Sequence, residues 1–221
     1  MRTRAAAAAL AALPLGLAAG VLAELVREGA SAHRAAMGAV GRALAEPGLL
    51  SYDFTAGLYA EAARRGFLEV QVLLVQPPAR RAREDAAERP DPLLEALSLG
   101  HRKTLARGHR DPDLLARLAA DGEPSVVREL LQNPRLTERL VIRIAARRPC
   151  RPETLRCVWE ERRWRVRPGV QAALAKNPYL DPAIALQLLP SLGPRDLQEV
   201  AADREMSTAV RALARRLNVL R

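Results

Sequence analysis

The sequence predicts an all-α protein built as an α-solenoid with an N-terminal helical cap, and three observations predict it. Asn-Pro occurs at 133–134 and again at 177–178, 44 residues apart. At that period the C-terminal part divides into three similar blocks, 91–134, 135–178 and 179–220. A period of roughly 40 to 47 residues marks helical arrays in which each unit hides its apolar face by stacking on its neighbours. Composition agrees: alanine, leucine and arginine dominate, aromatic residues make up 3%, and no run of β-branched residues offers a strand.

The first 21 residues are an Ala-rich segment. Met-Arg-Thr-Arg precedes an uncharged run, Ala5 to Ala23, in the layout of a signal peptide. Against that layout, the run is mostly alanine and is interrupted by Pro14 and Gly16. A membrane span is not expected, because alanine gains little from hydrocarbon. The expected location is the cytoplasm, with export the alternative if residues 1–23 are cleaved.

Residues 22–75 read as a helical cap. Leu22, Leu25, Val26, His33, Met37, Val40 and Leu44 share one stripe, so a long amphipathic helix is expected over 21–45, with His33 packed on its apolar side. Ser51 or Asp53 is expected to cap a second helix ending near Gly66, and 67–75 a third. The stretch 76–90, charged and proline-containing, reads as an exposed linker.

From residue 91 the helices are short and punctuated: twelve of the sixteen prolines lie at or beyond Pro90. Asp91-Pro92, Asp111-Pro112 and Asp181-Pro182 pair a capping carboxylate with a proline at the first helical position, where no N–H is needed. The helix before each Asn-Pro must stop there, since proline disfavours the α conformation in the residue before it. Pro112 to Asp121 and Pro194 to Asp203 have the same offset, with Leu-x-x-(Leu/Val)-Ala-Ala-Asp inside; Val127-Arg128 and Val210-Arg211 follow. The middle block is longer, 27 residues over 152–178 against 23 over 112–134, with its insertion around Arg162 to Arg165.

This order resembles the leucine-rich repeat variant family and related HEAT-like repeats over residues 95–217. The resemblance implies short helices alternating in a right-handed superhelix. One member type of that family carries a cysteine-ligated iron–sulfur module. Only Cys150 and Cys157 are present here, so no cofactor and no cysteine zinc site are expected.

Charge is the second signal. Residues 1–90 hold eleven bases and nine acids; residues 91–221 hold twenty-four and sixteen. Ten arginines crowd one stretch: Arg139, Arg143, Arg147, Arg148, Arg151, Arg156, Arg162, Arg163, Arg165 and Arg167, opposed only by Glu153, Glu160 and Glu161. Arg139, Arg143 and Arg147, four apart, share a helix face. With Trp159 and Trp164 among them, these residues are the candidate binding site. They could grip phosphates and stack on bases. They could equally be a solvated face, with the tryptophans filling the gap left by the irregular middle unit.

Catalytic signals are scarce. His101 and His109 lie near Asp111 and Asp113 but lack metal-ligand spacing and a neighbouring nucleophile, so surface histidines are expected. No phosphate-binding or nucleophile-elbow motif occurs. Some HEAT-like proteins are DNA glycosylases with a tryptophan-lined basic groove; Trp159, Glu160 and Trp164 resemble that arrangement without carrying a catalytic residue over. The expected function is therefore a non-enzymatic scaffold for protein–protein interaction, with nucleic-acid binding through the arginine-rich face as the alternative. An acidic protein surface suits the same face. No small-molecule substrate and no metal are expected.

Overall fold

The computed structural model describes residues 2–28, 30–46, 48–75 and 91–220, with the side chains among them apart from 30–35 and 45. The linker expected at 76–90 and the side chain of His33 lie outside the described residues. All regular secondary structure among the described residues is helical, with no strand. In chain order the helices are α1 (Arg2–Ala11), α2 (Leu15–Glu28), α3 (Ala30–Ala45), α4 (Tyr52–Arg64), α5 (Leu68–Leu74), α6 (Pro92–Glu95), α7 (Leu99–Gly108) and α8 (Pro112–Leu118). They continue as α9 (Pro124–Leu131), α10 (Glu138–Ala146), α11 (Pro152–Glu160), α12 (Pro168–Ala175), α13 (Pro182–Leu188), a 3₁₀ turn (Leu189–Ser191), α14 (Pro194–Ala202) and α15 (Thr208–Leu220). No helix among the described residues is long and apolar enough to cross a membrane.

From α6 onward proline sets most of the starts. α6, α8, α9, α11, α12, α13 and α14 all begin on one, using a residue whose missing N–H would have had no partner there. Asp91 and Asp111 cap as expected: each carboxylate accepts the N–H two residues on, at 3.0 and 3.1 Å. Ser51 rather than Asp53 caps α4, its hydroxyl accepting from Phe54 N–H at 3.2 Å. The stripe expected as one helix over 21–45 runs through α2 and α3, described on either side of residue 29. It also starts earlier, because Pro14 stops α1 and lets α2 begin at Leu15.

Packing groups the helices into two compact units, Met1–Ala79 with Pro182–Arg221, and Arg80–Asp181. The block from Pro182 therefore shares a core with the N-terminal helices, although its sequence pattern aligned it with residues 91–181.

The first unit is built from α1 to α5 and α13 to α15. Leu10, Ala18, Ala19, Leu22, Ala23, Val40, Leu58, Ala62 and Val70 form its buried cluster, so the Ala-rich run contributes core residues. Alanine at 18, 19 and 23 lets α2 approach α4 and α5 closely. α15 packs on α2, α5, α13 and α14. At its centre Glu69 of α5, its side chain 0% exposed, meets Arg27 of α2 at 2.6 Å and Arg216 of α15 at 3.7 Å.

The second unit holds α6 to α12, and its helices repeat. α7, α8 and α9 correspond to α10, α11 and α12. In each trio the first and third helices pack together, and α11 packs on α9 of the trio before it. Val126, Val127, Leu130 and Leu131 of α9 are fully buried between these neighbours. Each such side chain contributes about 1.5–3 kcal/mol by leaving water.

Candidate functional site

The Asn-Pro pairs are where the repeat becomes geometry. Asn133 and Asn177 are buried, 0% and 1% exposed. The Asn133 amide donates to the carbonyls of Ala106 and His109 at 2.9 and 3.0 Å, and the Asn177 amide to those of Ala145 and Arg147, both at 2.8 Å. These carbonyls sit at the ends of α7 and α10, where a helix leaves its last C=O groups without intrahelical partners. The other side of each amide accepts the N–H two residues on, Arg135 at 2.8 Å and Tyr179 at 3.0 Å, and so shapes the turn. The proline only ends the helix; the asparagine ties that end to the first helix of its own trio.

Two further turns match. Asp121 and Asp203 each accept the N–H two residues on at 2.9 Å. Asp121 additionally takes Arg102 on both oxygens, at 2.8 and 2.7 Å. Its burial is therefore compensated by a charge-assisted pair.

The ten arginines divide by what they touch. Arg147, at the end of α10, donates to Ala120 O at 2.5 Å and Asp121 O at 3.4 Å; Arg148 donates to Lys176 O. Arg163 donates to Asn133 O at 3.2 Å and Leu136 O at 3.5 Å. These forks satisfy carbonyls at turns and helix ends and tie neighbouring segments together. Arg151 meets Glu123 at 3.4 Å, Arg156 meets Asp181 at 3.4 Å, and Arg167 meets Glu138 at 4.0 Å. Such exposed pairs are worth roughly 0–1 kcal/mol each. Arg139, Arg143 and Arg162 remain exposed and face no carboxylate among the described residues. Arg165 is half-buried; burial and the Arg162 charge pull its pKa down, with Glu161 opposing them. It keeps its proton, as arginine does throughout the ordinary pH range.

The tryptophans separate as well. Trp164 is 3% exposed, and its indole N–H donates to Leu131 O at 2.9 Å, with the Arg163 guanidinium over its ring at 4.3 Å. The turns spanning 161–167 hold it, so it fills the space made by the longer middle block. Trp159, on α11, is half-buried. The ten arginines and two tryptophans do not converge on one surface: interior or inter-helix roles take Arg147, Arg148, Arg163 and Trp164. One residue the sequence did not single out joins the free set. Arg135, exposed in the turn after Asn133, lies four residues before Arg139 and faces no carboxylate among the described residues. Its place in the same four-residue series was the signal.

Cys150 and Cys157 are buried and form no disulfide. Burial pushes the Cys157 thiol up, while the Arg128 charge beside it works the other way. Among the described residues no group of three or more His, Cys, Asp or Glu could hold a metal ion. Comparison of the chain with protein-family models, with curated proteins and with solved structures finds no match in any of the three.

Proposed function

We propose that this chain is a non-enzymatic helical-repeat scaffold that binds a protein partner. In this reading α7–α9 and α10–α12 are successive turns of a right-handed α-solenoid, similar to leucine-rich repeat variant and HEAT-like proteins. The observation that carries it is the paired role of Asn133 and Asn177, which fasten the same helix end in consecutive trios. Repeats of this kind present a broad, rigid surface rather than a pocket. The arginine-rich stretch supports a protein partner more than a nucleic acid. Arg147, Arg148, Arg151, Arg156, Arg163 and Arg167 already have internal partners, and Trp164 is occupied inside the unit. A base-excision reading would need that indole at a groove.

Nucleic-acid binding is the second reading, favoured by the unopposed guanidinium groups of Arg139, Arg143 and Arg162. Fluorescence anisotropy with mixed-sequence DNA and RNA across a salt series separates the two. The scaffold reading expects binding only at low salt. Micromolar binding near 0.15 M, with log K falling linearly in log salt, would overturn it. Affinity capture with the whole chain then supplies the positive arm, a protein held stoichiometrically after nuclease treatment.

A further inference from the structure

Arg139 and Arg143 are the outward arginines of α10, one turn apart, and Arg135 extends the series by four residues into the preceding turn. The turns spanning 161–167 lie against the same end of α10. Arg163 reaches Asn133 O and Leu136 O, and Arg167 approaches Glu138 at 4.0 Å. Arg162, exposed, precedes Arg163 in those turns. Arg135, Arg139, Arg143 and Arg162 thus gather four positive charges with no facing carboxylate among the described residues, and like charges one helical turn apart repel. An oppositely charged ligand would relieve that repulsion.

We propose that this patch docks an acidic helix of a protein partner, with carboxylates one turn apart to match Arg139 and Arg143. The proposal rests on the protein-scaffold reading above. Three features favour an acidic protein segment over a phosphate backbone. The patch presents only about 6 Å of helix between Arg139 and Arg143. Its four free guanidinium groups fall short of the roughly 6–10 phosphate contacts of a strongly salt-dependent DNA binder. Finally, the buried Trp164 offers no stacking face.

The test is anisotropy of a fluorescein-labelled helical peptide carrying Glu at every fourth position, titrated with the full chain at near-physiological salt. A Gln-for-Glu peptide and a duplex DNA of equal charge serve as comparisons. The variant is Arg139→Glu/Arg143→Glu. The control is Arg204→Glu/Arg215→Glu, which makes the same change in net charge at exposed arginines of the other unit. Circular dichroism melts verify that both fold. The proposal expects the first variant to weaken peptide binding by at least about tenfold and the control by less than about twofold, since a rim charge acts locally. Equal weakening by both variants, no peptide binding, or tighter binding to DNA would overturn it. If a protein captured by the wild-type chain is still held by Arg139→Glu/Arg143→Glu, this patch is wrong and the scaffold stands. If the wild-type chain holds none, the scaffold reading itself fails.

Discussion

Asn177 shows how much one buried amide can do. It donates two hydrogen bonds across 30 and 32 residues of sequence and shapes the next turn with its oxygen. Asn177→Ala leaves two carbonyls at the end of α10 without donors, which should cost about 3 kcal/mol. Urea unfolding measures this, and a loss under about 1 kcal/mol would contradict the latch. Asn177→Asp should cost more, because a carboxylate cannot donate and would point charge at two carbonyl oxygens. The Asn-Pro period was legible in sequence, but only the proline's part of it, which acts on its immediate neighbours. The amide's partners are set by packing and leave no local trace. Cys157 supplies a pH test. Burial raises its thiol above the unfolded value of about 8.5, so the thiol is neutral in both states below that and ionises first in the unfolded chain. Stability should therefore fall on the alkaline side. The gap between wild type and Cys157→Ala in urea midpoint should change between pH 7 and 10 but stay constant below that range.

At the scale of elements, close helix approach rests on glycine. A Cβ on Gly41 of α3 would come within 2.9 Å of Gln187 Cγ and 3.1 Å of its Cβ on α13, atoms near the backbone that have little room to give. A Cβ on Gly169 of α12 would press hardest on Ile142 Cδ1 at 2.9 Å, the far end of a side chain that can rotate, with Glu138 Oε1 next at 3.4 Å. Gly41→Ala should then destabilise by about 1–3 kcal/mol through overpacking. Gly169→Ala should be near neutral, its clash offset by roughly 1 kcal/mol of helix propensity. Thermal melts of the two variants check the contrast, and equal shifts would refute it. Element boundaries marked by proline and by capping serine or aspartate were legible, because those signals act within one turn. The extra residues around Arg162 to Arg165 were visible as a length difference, but what fills them is a matter of volume, and Trp164 answers it.

Across the whole molecule, the all-α class followed from composition and period, but the grouping into units did not. α13 to α15 carry the repeat's prolines and its Leu-x-x-Val-Ala-Ala-Asp, yet they bury their apolar faces with α2, α3 and α5. Local pattern specifies a helix and its apolar side; it does not name the surface that side meets. Glu69 fastens this arrangement. Glu69→Ala removes the buried carboxylate shared by the part-exposed Arg27 and Arg216 and should cost about 1.5–3 kcal/mol, read by chemical denaturation. A cost near zero would mean the carboxylate is dispensable to the unit. The discontinuity of the first unit also has a consequence in time. During synthesis, helices α1 to α5 emerge with their partners still unmade, and about 100 residues must follow before α13 appears, roughly 5–20 s at ordinary elongation rates. The unit made of residues 80–181 lies wholly within that interval, so it can close on the ribosome first. For those seconds the earlier helices hold out an open apolar face, which makes nascent-chain chaperones, rather than the finished protein's partner, the first molecules able to engage it.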